Sequence, residues 1–239
     1  MPYPKKLLEK RPLLEELLHR EHETCSINLE LRIYDIMLHA VDQYHANLEA
    51  DLAQAISTLS SGGSETGGLS REYQYKSLVL SMISKYRKAP AYIFVLDFEP
   101  EKKEHAEHIF AQEASYHRPC IGKPVSDDSI VGEMDKIAYE DNAILIAENG
   151  KITATNVQLV DVNPACIPVN AQVAGQSIDR YGFAERVYSR HYSALSASFQ
   201  MDTKVYTLGE EGNIRRFHKG RITFSTHDIE METIGTQTR

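Results

Sequence analysis

Two short motifs in this 239-residue chain could do chemistry together. Ser189, Arg190 and His191 stand where an extended segment gives way to a run of small residues that predicts a helix. The first N–H groups of a helix favour an anion, and Arg190 and His191 add side-chain donors at the same place. This motif therefore predicts a phosphate site at a helix start, with Ser189 at the helix cap.

The second motif, Asp141, Asn142 and Ala143, precedes an apolar run that predicts a buried strand. Beside a triphosphate, the carboxylate of Asp141 could hold a divalent cation or withdraw a proton from an attacking hydroxyl. Each motif also has an ordinary explanation, because Asp-Asn pairs are common in turns and Ser is common at helix starts. The two motifs are informative only in combination.

Helices precede both motifs. Between residues 27 and 59, apolar residues recur every three or four positions, which predicts one long amphipathic helix. The Leu-rich segment before it predicts a shorter helix, interrupted near Pro12. These helices either pack within the chain or mediate oligomerisation. Because residues 60–68 are rich in Gly and Ser, we expect a linker there, with a helical module at residues 1–69 and a second domain at residues 70–239.

The second domain opens with alternating helices and strands. Residues 75–86 carry a one-faced apolar pattern, which predicts a helix that ends before Pro90 and docks on the sheet. Residues 92–96 predict a buried central strand. The charged residues 101–114 predict a helix, and apolar spacing within residues 130–137 predicts another.

The rest of the second domain predicts strands. Residues 143–147 run into Asn149 and Gly150, a strong hairpin signal, and residues 152–155 return. Further strands are expected at residues 157–160, 204–208, 214–217 and 222–225. The predicted fold class is therefore α/β, or α+β, with a mixed central sheet flanked by helices.

Composition excludes several classes of protein. The net charge of -8 argues against nucleic-acid binding, which rests on Lys and Arg. We expect a cytoplasmic protein with no membrane partner, because no apolar run approaches the length of about eighteen residues needed to cross a bilayer and the N-terminus shows no secretory pattern.

The three cysteines are too far apart for a paired zinc site. His105 and His108 lie one turn apart on a predicted helix and could bind zinc with a third ligand, although a solvated helix face is the commoner outcome.

Three segments taken together resemble the diadenylate cyclase domain family. They are EDNAILIAENGKITATNVQL from Glu140, SRHYSALSAS from Ser189 and TLGEEGNIRRFHKGRI from Thr207. Family members carry, in the same order, an Asp-Gly-Ala motif that opens a strand, a hairpin strand, a Thr/Ser-Arg-His motif at a helix start and a Ser-Glu-Glu-Thr-Gly-like turn. The resemblance covers roughly residues 75–225. The chain has no P-loop, dinucleotide fingerprint or nucleophile elbow that would point elsewhere.

The resemblance implies a role for each residue of the first segment. Asp141 takes the place of the catalytic carboxylate, which would bind Mg²⁺ or Mn²⁺. Asn142 and Ala143 complete that motif and would border the nucleotide. Leu159 matches the apolar position that packs on adenine.

The resemblance also implies roles in the other two segments. Ser189, Arg190 and His191 match the phosphate-binding motif, in which Arg190 and His191 would act in catalysis. Glu210 and Glu211 fall in the turn that borders the nucleotide.

Two residues depart from the family pattern. Asn142 replaces the usual Gly, although Asn is the next most tolerant residue of left-handed backbone geometry. Tyr192 replaces the usual second Arg and removes one positive group from the phosphate end.

The implied activity is the condensation of two ATP molecules into cyclic di-AMP with release of pyrophosphate. The 3′-hydroxyl of one ATP would attack the α-phosphorus of the other, and the same step in the opposite sense would close the ring. Since each protomer would bind one ATP, the implied partner is a second copy in a homo-oligomer with active sites face to face. The alternatives are a nucleotide-binding or sensor protein of the same fold with weak or no turnover, and a scaffold organised by the helical module.

Overall fold

The computed structural model describes residues 3–21, 24–61, 68–99, 106–108, 118–140, 142–160, 162–167 and 179–237. These residues form a mixed α/β fold in which helices cover both faces of a seven-stranded sheet. The predicted fold class, a mixed central sheet flanked by helices, is confirmed.

The described residues contain six α-helices: α1 (Tyr3–Arg20), α2 (Thr24–Ser61), α3 (Gly68–Lys85), α4 (Val131–Ile137), α5 (Ser189–Gln200) and α6 (Asp228–Gln237). The strands are β1 (Tyr92–Val95), β2 (Ala106–His108), β3 (Ala143–Ile146), β4 (Ile152–Leu159), β5 (Lys204–Leu208), β6 (Ile214–His218) and β7 (Arg221–Ser225). Within the described ranges, no helix has both the length and the apolarity needed to cross a membrane.

The strands lie in the order β2-β4-β3-β1-β5-β6-β7. β1 pairs in parallel with β3 and antiparallel with β5, and the other neighbours are antiparallel. Every residue of β1 and β3 is buried, as expected for strands with a neighbour on each side and helices on both faces. The Asn149-Gly150 hairpin between β3 and β4 is confirmed, with Gly150 at a φ of 75°.

The N-terminal helices pack within the chain and cover one face of the sheet. Leu14 of α1 and Ile33 of α2 lie in one buried cluster with Phe94 of β1 and Ile144 of β3. The first two helices and the sheet thus share a hydrophobic core. The domain boundary near residue 69 stays a prediction.

The other face of the sheet is covered by α5. Ala194, Leu195 and Ala197 of this helix pack with Ile93 and Val95 of β1 in a second buried cluster. Because alternate residues of β1 enter the two clusters, the strand is buried from both sides.

The prediction of a helix over residues 101–114 is wrong at Ala106–His108, which forms β2. There Ala106 pairs with Leu159 and His108 with Val157. Pairing with an otherwise open edge of β4 outweighs local helix preference. The one-turn spacing behind the zinc hypothesis is therefore absent at His108, and His105 lies outside the described residues.

Two helices also differ from prediction. α1 continues through Pro12 without interruption, because Leu7 and Leu14 on either side of it are held in the core. α3 does not dock on the sheet as predicted, since α1 and α2 already occupy that face. It packs against α2 instead, and the ring of Tyr86, which directly follows α3, lies 5.6 Å from the ring of Tyr44.

Candidate functional site

A cavity of about 630 Å³ lies on the α5 side of the sheet. Residues from β1, β3 and β4, from the start of α5 and from the turn between β5 and β6 form its walls. The predicted site residues that line it are Asn142, Ala143, Leu159, Ser189, Arg190, His191, Glu210 and Glu211. Asp141 lies outside the described residues. The fold thus brings together segments that are far apart in the sequence.

The N-terminal end of α5 forms one wall. Ser189, Arg190 and Ser193 line the cavity, and Tyr188 stands at the N-cap with extended backbone and no capping side-chain bond. Ser189 is therefore the first helical residue rather than the predicted cap, because the switch to helical dihedrals falls at Tyr188. A helix start with a basic side chain in its first turn suits an anion.

Asn142 lies at the start of β3 and is tied to β4. Its amide donates to the side chain of Asn156, which has a φ of 58°. β4 carries one extra residue between the Ala143–Val157 and Leu145–Ala154 pairs, and such a bulge re-aims the neighbouring backbone. Asn156 suits this place because Asn tolerates left-handed geometry.

His191 is almost wholly buried, and both ring nitrogens have partners within the protein. Nδ1 lies 3.1 Å from the hydroxyl of Thr207, and Nε2 lies 3.1 Å from Oε1 of Glu211. Burial lowers the pKa of His191, and the positive charges of Arg215 and Arg190 add to this, although Glu211 opposes it. The ring is therefore neutral near pH 7, with Nε2–H donating to Glu211 and Nδ1 accepting from Thr207.

Glu211 is ionised, and its carboxylate is held by His191 and Arg215. Burial alone would raise the pKa of this carboxyl, but His191 and Arg215 outweigh burial and lower it to about 2. The carboxylate accepts from Arg215 and folds back over Gly209, where an added Cβ would overlap it. Glycine at position 209 therefore leaves the room that the Glu211 carboxylate occupies.

The third motif also contributes Glu210. This side chain is half exposed, and its carboxylate lies 3.9 Å from the guanidinium of Arg190, which is largely buried. Arg190 lies at the start of α5 and Glu210 in the β5–β6 turn, and both residues line the cavity. An incoming phosphate would compete with Glu210 for Arg190.

Tyr192, which replaces the second Arg of the family motif, does not line the cavity. Its hydroxyl donates to Asp179 at 3.2 Å, and its ring packs edge-on against Phe183 and Tyr181. Tyr192 therefore anchors the segment before α5 and contributes no charge to the site.

Several residues of the site were not predicted from the sequence. Glu185, Arg186 and Tyr188 line the cavity, and Arg215 lies completely buried behind it. Arg215 had a signal in the sequence, because it stands between the apolar residues Ile214 and Phe217 of a predicted strand, and an Arg buried there must find polar partners. Glu185 and Arg186 precede α5 in an irregular segment with no such signal.

The described carboxylates Glu185 and Glu211 gather around a guanidinium and form no metal site. Glu185 and Glu211 both bond to Arg215, and the described residues hold no group of three or more His, Cys, Asp or Glu placed to bind a metal ion.

Comparisons with known proteins name no family. No protein-family model matches the chain, and no curated protein matches it. Among solved structures, the chain is similar to a hypothetical membrane spanning protein from Bacillus cereus, with 12% identity, a TM-score of 0.36 and coverage of 78% of this chain and 92% of that one. It is also similar to a double cysteine mutant of DacA from Staphylococcus aureus, with 16% identity, a TM-score of 0.33 and coverage of 66% and 87%. Functional assignment therefore rests on the site itself.

Proposed function

We propose that the protein is a diadenylate cyclase, which condenses two ATP molecules into cyclic di-AMP and releases two pyrophosphates. The observation that supports this is that one cavity is lined by residues of all three motif segments. Its volume of about 630 Å³ is in the range of small-molecule sites.

In this proposal the nucleotide lies between an apolar and a cationic wall. Ile93, Val157 and Leu159 offer apolar surface to adenine. The triphosphate would lie at the start of α5, near Arg190 and Arg186, where the helix dipole and two guanidinium groups favour negative charge.

Asp141 remains the proposed catalytic carboxylate and ligand of Mg²⁺ or Mn²⁺. Glu211 is already held by Arg215 and His191, so it is a poor choice for either task. A divalent cation bound by Asp141 and the phosphates would neutralise charge on the transferred group.

The reaction needs two protomers with facing cavities. The 3′-oxygen of each ATP attacks the α-phosphorus of the other, its proton passes to the base, and pyrophosphate leaves from each. Such positioning is worth about 7–11 kcal/mol. Arg190 and the helix start would hold the phosphates. Because the His191 ring is committed to Glu211 and Thr207, its part is to hold the wall rather than to exchange protons.

A second candidate is a nucleotide-binding protein without turnover. It is favoured by Tyr192, which faces Asp179 and leaves the phosphate end with one cation fewer than the family pattern. Incubation of the purified protein with ATP and Mn²⁺ separates the two. Cyclic di-AMP and pyrophosphate are expected; ATP binding without product would favour the second candidate.

A further inference from the structure

Glu230 of α6 is a buried carboxylate that bonds to residues of three segments behind the cavity wall. Oε2 accepts from Nε of Arg215 at 2.8 Å and from the hydroxyl of Ser225 at 2.6 Å. Oε1 accepts from Nη2 of Arg215 at 3.0 Å and from the backbone N–H of Ala184 at 3.1 Å. The fork-to-fork pair with Arg215 is a strong and geometrically demanding contact.

Arg215 connects Glu230 to residues that line the cavity. Its Nη1 donates to Glu211, and its Nη2 lies 3.0 Å from Oε1 of Glu185. Both of these carboxylates line the cavity, and Glu211 in turn receives the Nε2–H of His191. One guanidinium therefore holds two cavity-lining carboxylates from separate segments.

This group carries more negative than positive charge, because three carboxylates share one guanidinium. Arg215 is the buried cation shared by Glu230, Glu211 and Glu185, while His191 is kept neutral beside them. Removing one carboxylate from a buried cluster leaves the remaining groups to rearrange around the cation. Loss of Glu230 would draw Glu211 further onto Arg215 and away from His191.

We propose that Glu230 is a positioning residue of the nucleotide site, which acts through Arg215 on Glu211 and through Ala184 on the segment leading to α5. The C-terminal helix α6 is thereby part of the site although it does not line the cavity. The identity of the ligand rests on the proposed function, whereas the positioning of His191 and Glu211 does not.

The fold supplies a matched control in Glu30 of α2. Glu30 is equally buried and bonds at 2.7 Å to Nε of Arg216, the next residue of β6, but on the opposite face of the sheet. A Glu30→Gln variant therefore makes the same chemical change in an equally buried Arg pair away from the cavity.

The test compares the full chain with Glu230→Gln and Glu30→Gln in three measurements. These are denaturant unfolding, the ¹⁵N resonances of the His191 ring, assigned with His191→Gln, and ATP affinity. Both Glu variants are expected to lose stability. Only Glu230→Gln should shift the His191 ring signals and weaken ATP binding by about tenfold, which lies within the range of energies that coupled neighbouring residues share.

The proposal is overturned if folded Glu230→Gln keeps the His191 resonances and ATP affinity of the parent. Should Glu230→Gln not fold, Ser225→Ala removes one bond to the same carboxylate without changing charge. A smaller shift of the same resonances is then expected, and unchanged resonances would overturn the proposal. If the parent protein binds no ATP, the proposed function fails while the His191 signals still decide the positioning role.

Discussion

Arg215 and Arg216 are consecutive residues of β6, and their buried guanidinium groups bond to carboxylates on opposite faces of the sheet. Arg215 meets Glu230 beside the cavity, whereas Arg216 meets Glu30 under the N-terminal helices. Successive side chains of a strand point to opposite faces, so this one dipeptide ties both helical layers to the sheet. β6 therefore helps both to hold the N-terminal helices on the sheet and to support the candidate site.

Deletion of residues 1–69 is expected to abolish the cooperative fold. It would expose core residues such as Phe94 and Ile144 to water and remove Glu30, the buried partner of Arg216. Exposing one fully buried Phe or Ile side chain costs about 1.5–3 kcal/mol, so a few such residues amount to much of the roughly 5–15 kcal/mol that holds a domain. Circular dichroism and denaturant unfolding measure this. A truncated chain that unfolds cooperatively at the parent's denaturant midpoint would contradict it.

Gly209→Ala is expected to weaken ATP binding. The new methyl group would occupy the place of the Glu211 carboxylate and push it from His191 and Arg215. Titration with ATP should show a loss of about tenfold, which lies within the range of energies that coupled neighbouring residues share.

Gly132→Ala is the control for that substitution. Gly132 lies in α4 with open space around its added Cβ, so Ala should leave ATP binding unchanged and stabilise the helix by about 0.5–1 kcal/mol. Equal ATP affinities in the two variants would show that Gly209 has no special role.

Stability should fall as the pH is lowered. The folded pKa values of His191 and Glu211 lie below their ordinary values of 6.5 and 4.5, the second at about 2. The unfolded chain therefore binds more protons, so stability is full above pH 6.5, declines below it and declines again between pH 4.5 and 2. The Glu211 contribution is on the order of 3 kcal/mol.

Urea unfolding across this pH range measures the effect. His218 also has a lowered pKa, so His191→Gln is needed to isolate the first decline. In the parent, Glu211, Arg215, Arg190 and Thr207 all face the His191 ring. The variant should lose less stability than the parent between pH 7 and 5. If the parent and the variant lost stability in parallel, His191 would not be the cause of the first decline.

Arg186→Gln should reduce ATP affinity about 10- to 100-fold, because a hydrogen bond to a charged group contributes about 1.5–3 kcal/mol. Arg186 lines the cavity and is exposed, so the loss should shrink at high salt. Arg180→Gln serves as the control, since its guanidinium lies 4.7 Å from the Tyr181 ring centroid and outside the cavity lining. A similar loss in both variants would point to general charge rather than a phosphate contact.

Much of the sheet was predictable from the sequence. The apolar run of β1 and the Asn149-Gly150 turn are local signals, and both are confirmed. β2 was missed because its pairing with β4 is set by a distant strand rather than by its own charged residues. α3 was placed wrongly because the apolar periodicity of a helix does not say which surface it covers.

The candidate site also has residues that the sequence predicts and residues that it does not. Its motif residues could be found because each motif is contiguous, and the fold brings the described ones to one cavity. Glu230 carries no motif, since its role depends on Arg215 and on the meeting of α6 with β6. Buried polar partners of this kind are defined by tertiary contacts.

The most direct test of the proposed activity is to follow ATP, cyclic di-AMP and pyrophosphate together in the full chain with Mn²⁺, beside an Asp141→Asn variant. Condensation predicts one cyclic di-AMP and two pyrophosphates for every two ATP consumed. The variant should form no product while keeping its fold and much of its ATP affinity. Parent protein that binds ATP but forms no cyclic di-AMP, or a variant with undiminished turnover, would contradict the account.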